Sequence, residues 1–403
     1  MRIVTVTLFL FTLNINLFSQ IETIYIKPNQ TDPNYSLQDS SHLIVQNTST
    51  QINKLFLFLG GSFSIPRHYR FICRVAADLG YDAISLCYPN NVPAYPLGSA
   101  ADSLVFDKYR QEICFGTPQS PFVTVDTLNS IFTRTLKLIQ YLSVTYPLQN
   151  WGQYMLSPTS LDWSKIVVSG HSQGSGHSAY LAKYFQVERN IMFSGPNDYS
   201  SYYNRSAHWL KQAGVTPTDK HFVFLHLRDE AVPFSQQFAN ISGLGMLQTD
   251  DTTTVDNALP PYSNSNCLYS NMEPSVTGKY HSSTCVGIYT PMKSGDTLFL
   301  PAWQYMLTTS VTSGISNLNV DLPEMRLYPN PTTGIFTVDM SAEVNERAII
   351  QSIEAINIKG QIIDQIEVNN SKNNVNLSAC SKGIYIIKIV TDKEILFEKI
   401  VLE

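Results

Sequence analysis

The sequence predicts an α/β domain built on a doubly wound, mostly parallel sheet, followed by a small all-β sandwich domain. Three observations predict it. Between residues 20 and 310, short apolar runs rich in β-branched and aromatic residues alternate with stretches of helical periodicity. One such run, Ile166-Val167-Val168, leads through Ser169 into Gly170-His171-Ser172-Gln173-Gly174 and then into a helix-compatible stretch from Gly176 to Phe185. After residue 326 the helical period stops, and short β-like runs separated by turn residues take over.

At 403 residues the chain exceeds one ordinary domain, and 43% hydrophobic with 15% charged residues is the composition of a folded globular protein. A net charge of -5 with no Lys/Arg cluster leaves no electrostatic footprint for nucleic acid or an anionic membrane surface, and both classes of partner are excluded.

Residues 1 to 19 read as a signal peptide. Arg2 gives a short positive region, Ile3 to Leu13 an apolar stretch, and Leu17-Phe18-Ser19 a cleavage site before Gln20. Asn14 and Asn16 break the apolar run well short of the roughly 20 residues a bilayer requires, and no later segment is a transmembrane candidate. Export through the periplasm makes the six cysteines candidates for disulfides. The pairs expected are Cys87 with Cys114 and Cys267 with Cys285, while Cys73 reads as a buried apolar residue within Phe71 to Leu79.

Along the α/β part, Leu43–Asn47 and Leu55–Leu59 read as early strands, the second running into Gly60-Gly61-Ser62. Pro66 to Leu79 has helical periodicity, Asp82 to Cys87 is a strand, and Val125 to Thr145 reads as one long amphipathic helix ending before Pro147. Lys165 to Ser169 forms the strand before Ser172; Asn190 to Phe193 and Phe222 to Leu227 add two more. Strands of this kind imply right-handed crossovers and a site at their carboxyl ends, where Ser172 lies. Residues 311 to 326 read as a linker, and 327 to 403 as the β domain.

Gly-x-Ser-x-Gly between a buried strand and a helix is the arrangement that lifts a serine above a sheet on a tight turn. A serine hydroxyl is a poor nucleophile at neutral pH and needs a histidine base, itself held by a carboxylate. His281, in Lys279-Tyr280-His281-Ser282-Ser283, is the only histidine beyond residue 226 and is the expected base. Asp229, directly after the strand Phe222 to Leu227 and ahead of Val232-Pro233, is the expected acid, with Asp198 in Ser194-Gly195-Pro196-Asn197-Asp198 as the alternative. Glu230 is expected to point away if Asp229 points inward. The oxyanion hole needs two backbone N–H groups, one from Gln173 and the other from Gly61 or Ser62. No Cys-x-x-Cys or His-Glu-x-x-His spacing occurs, so neither a metal nor a cofactor is expected. The connection from Gly195 to Lys220 is the candidate cap, its tyrosines and Trp209 available either to line a pocket or to pack.

These features resemble the α/β-hydrolase superfamily over residues 40 to 310. Ser169 to Gly174 with Phe193 to Asp198 is similar to a group of secreted bacterial hydrolases, and Gly-His-Ser-Gln-Gly resembles the elbows of cutinase-like and acyl-esterase enzymes. One departure is Leu59, where the family usually has a histidine before the oxyanion-loop glycines. The resemblance implies a serine hydrolase, with carboxylic esters as the expected substrates, small or polymeric. A peptidase or amidase of the same fold, or a catalytically silent binding protein, is the alternative.

The C-terminal region resembles the type A sorting domain of the type IX secretion system through Leu327-Tyr328-Pro329-Asn330-Pro331, Gly334-Ile335-Phe336, Asn357-Ile358-Lys359-Gly360-Gln361, Gly383-Ile384-Tyr385 and Lys399-Ile400-Val401. That resemblance implies recognition by the type IX machinery at the outer membrane, removal of the domain, and release or surface attachment of the rest.

Overall fold

Leu55–Leu59 is buried at all five positions, and its side chains divide by alternation between two cores. Leu55, Leu57 and Leu59 point into one and Phe56 and Phe58 into the other, the period-two signature of a strand covered on both faces. Full burial of each such side chain contributes roughly 2 kcal/mol. In this computed structural model the described residues are 21–247, 252–293, 295–309, 326–339, 350–357, 362–366, 368, 372–391 and 395–403. The expected signal peptide lies outside them, as does the expected linker apart from residue 326. The chain divides into two compact units, Met1–Ser313 and Gly314–Glu403.

The first unit is built on a nine-stranded sheet of β1 Ile21–Ile26, β2 His42–Asn47, β3 Leu55–Leu59, β4 Asp82–Leu86, β5 Ile166–His171, β6 Arg189–Phe193, β7 His221–His226, β8 Thr253–Thr254 and β9 Cys267–Ser270. Their order across the sheet is β1-β2-β4-β3-β5-β6-β7-β9-β8. The pairs β1/β2 and β2/β4 are antiparallel; every other pair is parallel, as the sequence predicts for the centre of the sheet.

Helices cover both faces. Helix α1 Arg70–Asp78 contributes Ile72 and Val75 to the core that holds Phe56 and Phe58. The core around Leu57 receives α2 Val105–Phe115, α3 Ile131–Thr145 and α4 Gln173–Tyr184. The long helix expected from Val125 starts six residues later. Asp126 accepts the Asn129 N–H and closes a turn, and Ser130 caps the helix by accepting the Thr133 N–H at 3.2 Å. Further along lie α5 Phe234–Gly243, the single turn α6 Tyr280–Ser283, and α7 Leu300–Thr308, whose Trp303 and Met306 join the Phe58 core.

Neither expected disulfide is formed. The Cys87 thiol faces the Gln38 carbonyl at 3.5 Å, whereas Cys114 lies against His177 Nδ1 at 3.6 Å. Cys267 belongs to the core on one face of the sheet and Cys285 to the core on the other, so strands separate the two sulfurs. Cys73 is buried among apolar residues, and burial pushes its thiol well above the ordinary range.

The second unit carries two antiparallel sheets, one of β10 Arg326–Tyr328, β11 Ile335–Asp339 and β14 Lys372–Asn376, the other of β12 Ile350–Asn357, β13 Ile362–Ile366, β15 Gly383–Thr391 and β16 Ile395–Leu402. Phe336, Val338 and Val375 from the first sheet meet Ile353, Ile387 and Ile389 from the second in one core.

Candidate active site

Strand β5 ends at His171 and α4 begins at Gln173, so Ser172 alone makes the turn, at φ 54° and ψ -118°. That backbone is costly for a residue with a side chain and persists only where its surroundings impose it. Two glycines impose it here. A Cβ on Gly170 would overlap the backbone of Gly174, and a Cβ on Gly174 would overlap the Leu59 carbonyl of β3. Strand, turn and helix therefore touch backbone to backbone.

Asp229 follows β7 and turns inward. Its Oδ1 accepts the N–H groups of Ala231 and Val232, each at 2.9 Å, while Oδ2 accepts His281 Nδ1 at 2.7 Å and the Gln237 side-chain amide at 2.9 Å. Burial alone would raise this carboxyl; the His281 bond and charge, the Val232 N–H and Gln237 together outweigh it and hold Asp229 below the usual carboxylate range. A carboxylate only accepts, so Nδ1 of His281 carries the proton and Nε2 is left as the basic nitrogen. Glu230 does not point away from this pair, as the sequence reading expected. Its carboxylate accepts the backbone N–H of His281 at 2.8 Å.

Asp198 is placed elsewhere. It is fully buried in a two-bond ion pair with Arg110, at 2.5 and 2.9 Å, and also accepts the Trp209 indole N–H at 2.8 Å. Arg110 Nη1 donates to the Gln173 carbonyl at 2.7 Å, so this pair braces the first turn of α4. Trp209 is thereby part of the packing. Among the described residues, none of Tyr199, Tyr202, Tyr203 or Trp209 lines the cavity above Ser172.

That cavity, about 630 Å³, brings together Ser172, His281, Gln173, Gly61 and Ser62. Its further walls come from Pro93–Pro96 on one side and from Phe71 with Val286, Ile288 and Met292 on the other. The two oxyanion candidates differ. The Gly61 N–H is already donated to the Tyr69 hydroxyl at 2.8 Å, whereas the Ser62 side chain is tied across the cavity floor to Gln173 Oε1 at 2.5 Å. As the first residue of α4, Gln173 has an N–H with no acceptor inside its helix.

Sequence reasoning passed over three side chains here. Asn197 Nδ2 donates to Ser172 Oγ at 3.4 Å, and Gln237 Nε2 bridges Asn197 Oδ1, at 3.3 Å, to Asp229. Tyr69 bonds His171 Nδ1 at 3.1 Å, while His171 Nε2 lies 3.1 Å from the His281 carbonyl. Burial first, then the neighbouring His281, pushes His171 down to about 3, so it is neutral at physiological pH. Amide and phenol partners so far apart in the chain leave no local signal. His226 bonds the Met272 carbonyl at 2.8 Å and does not line the cavity. Among the described residues no group of three or more His, Cys, Asp or Glu side chains is arranged to hold a metal ion.

Residues 326–403 match the family described as the secretion system C-terminal sorting domain. No curated protein matches the chain. Among solved structures, a candidate dienelactone hydrolase from Klebsiella pneumoniae subsp. pneumoniae is similar at 11% identity and a TM-score of 0.30, over 63% of this chain and 86% of that one. The sorting domain marks the protein as a client of the type IX secretion machinery, destined for the cell surface or the medium. Among the described residues no helix is long and apolar enough to cross a membrane.

Proposed function

We propose that the chain is a secreted serine hydrolase of the α/β-hydrolase superfamily, acting on carboxylic esters through an acyl-enzyme. The observation that carries this reading is the 2.7 Å bond between His281 Nδ1 and the buried Asp229 carboxylate, with His281 lining the same cavity as Ser172 on its strained turn. A sheet in which β2 runs against its two neighbours and every other pair is parallel supports the superfamily.

In this mechanism Ser172 Oγ attacks the ester carbonyl carbon as His281 Nε2 takes its proton. Asp229 holds the ring in that tautomer and stabilises the imidazolium that forms. The N–H groups of Gln173 and Ser62 receive the oxyanion, each donor being worth roughly 10²- to 10³-fold in rate. Collapse breaks the bond to the alcohol, which leaves with the proton from His281. Water, deprotonated by the same nitrogen, then releases the acid and restores Ser172. Asn197 and Gln237 link the Ser172 hydroxyl to Asp229 through side-chain amides and support their relative placement.

The test is fluorophosphonate labelling of the folded protein with peptide mapping, alongside Ser172→Ala. Label confined to the Ser172 peptide and lost in the variant is the expected result. An unlabelled, folded protein would point to the silent binding protein, and amide cleavage outrunning ester cleavage to a peptidase.

A further inference from the structure

We infer that the cavity is built for esters whose apolar body carries a carboxylate, with Arg70 as the side chain that receives it. This rests on the serine-hydrolase reading above. A volume of about 630 Å³ admits a body well beyond an acetyl group, and the walls that would enclose it, Pro93–Pro96 and the segment from Val286 to Met292, are largely apolar. Neither aspartate nor glutamate is among the lining residues, and Arg70 is the one with a permanent charge.

Arg70 is exposed at the start of α1 and has no ion pair among the described residues, whereas Arg74, one turn further on, pairs with Asp78 at 3.9 Å. Its neighbour His68, also on the cavity wall, is held below its ordinary value by burial first and then by Arg67 and Arg70. Two arginines, Arg67 and Arg70, thus act on this edge of the cavity, and no acid is among its lining residues, in a chain whose net charge is -5. A guanidinium fork matches a carboxylate in shape and charge, so an ester carrying one gains a contact here that a neutral ester lacks.

The experiment uses the full chain and matched esters differing only in charge. The acyl-side pair is mono-4-nitrophenyl glutarate against its methyl ester, and the alcohol-side pair is 4-acetoxybenzoate against its methyl ester. The expected result is that at least one pair favours the carboxylate in kcat/KM, and that Arg70→Gln lowers this preference about fivefold, mainly through KM, as for an exposed charge pair. Arg70→Lys should retain part of it. In the unaltered protein, raising salt from about 20 mM to about 300 mM should narrow the same ratio, a readout independent of any variant. Ester turnover and Ser172 labelling with a ratio that neither Arg70→Gln nor salt moves would overturn this inference alone. Failure of both turnover and labelling would overturn the hydrolase reading and this inference with it.

Discussion

The hydroxyl of Tyr69 accepts the Gly61 N–H at 2.8 Å and lies 3.1 Å from Nδ1 of His171, joining the loop after β3 to the turn that carries Ser172. The carbonyl of His281 can only accept, so His171 Nε2 is the donor there, Nδ1 is an acceptor, and Tyr69 must supply its proton. The hydrogen bonds therefore run in one direction, from the Gly61 N–H through Tyr69 and His171 to the backbone of His281. Tyr69→Phe leaves the Gly61 N–H and His171 Nδ1 without these partners, at a cost of about 1–3 kcal/mol. We expect a lower urea midpoint and a kcat reduced more than KM is changed. A variant with kcat intact would show that this connection has no bearing on catalysis.

Two aspartates, Asp229 and Asp198, should respond in opposite ways. Asp229→Asn loses the charge that holds His281 and should cut kcat by roughly 10³- to 10⁴-fold, the scale seen for triad acids, in a protein that still folds. Asp198→Asn leaves Arg110 buried beside a neutral amide and should cost about 3–5 kcal/mol of stability. Ester kinetics and chemical denaturation on the two variants separate the roles; the reverse pattern would exchange them.

Gly174→Ala should yield little soluble protein, because the added methyl overlaps the Leu59 carbonyl and no flexible side chain is there to yield. Soluble expression with normal Ser172 labelling would refute the backbone contact as the constraint on the elbow.

Acid should destabilise the fold well above the carboxylate range. Burial is the first cause that lowers His42 and His171 to about 3 and His221 to about 4, all below the ordinary imidazole value of about 6.5. Between that ordinary value and their folded ones, the unfolded chain binds protons that the folded chain does not. The stability they contribute is complete above the ordinary value and is lost as pH falls toward about 4, at up to roughly 1.4 kcal/mol per pH unit for each histidine. Urea midpoints measured from about pH 7.5 to 4 test this; a flat profile over that window would contradict it.

The central strands were legible because both faces are buried, which leaves continuous apolar runs such as Leu55–Leu59 and Ile166-Val167-Val168. The elbow was legible because backbone clearance dictates its glycines. Helix α2 escaped notice because its buried side includes Arg110 and Glu112, polar residues made tolerable by partners that a one-dimensional pattern cannot display. Arg110 needs Asp198, which lies 88 positions away, and Glu112 accepts backbone N–H groups from Gln119, Ser120 and Val125. The cysteine pairs failed for a related reason, since spacing along the chain does not record which face of a sheet a thiol occupies. The cavity walls at 93–96 and 286–291 arise from segments whose composition carries no period, whereas Arg70 and Phe71 reach the cavity from α1.

The direct seating of Gly174 on the Leu59 carbonyl bears on how such a protein can diversify. The spacing between the serine turn and the neighbouring strand is set by main chain against main chain, so drift in surrounding side chains has little purchase on it. The segments at 93–96 and 286–292 that face the ligand space belong to neither the central strands nor the elbow helix. Selection can therefore rewrite what enters the cavity at one set of positions while the distances that any bond-breaking step depends on are inherited unchanged at another.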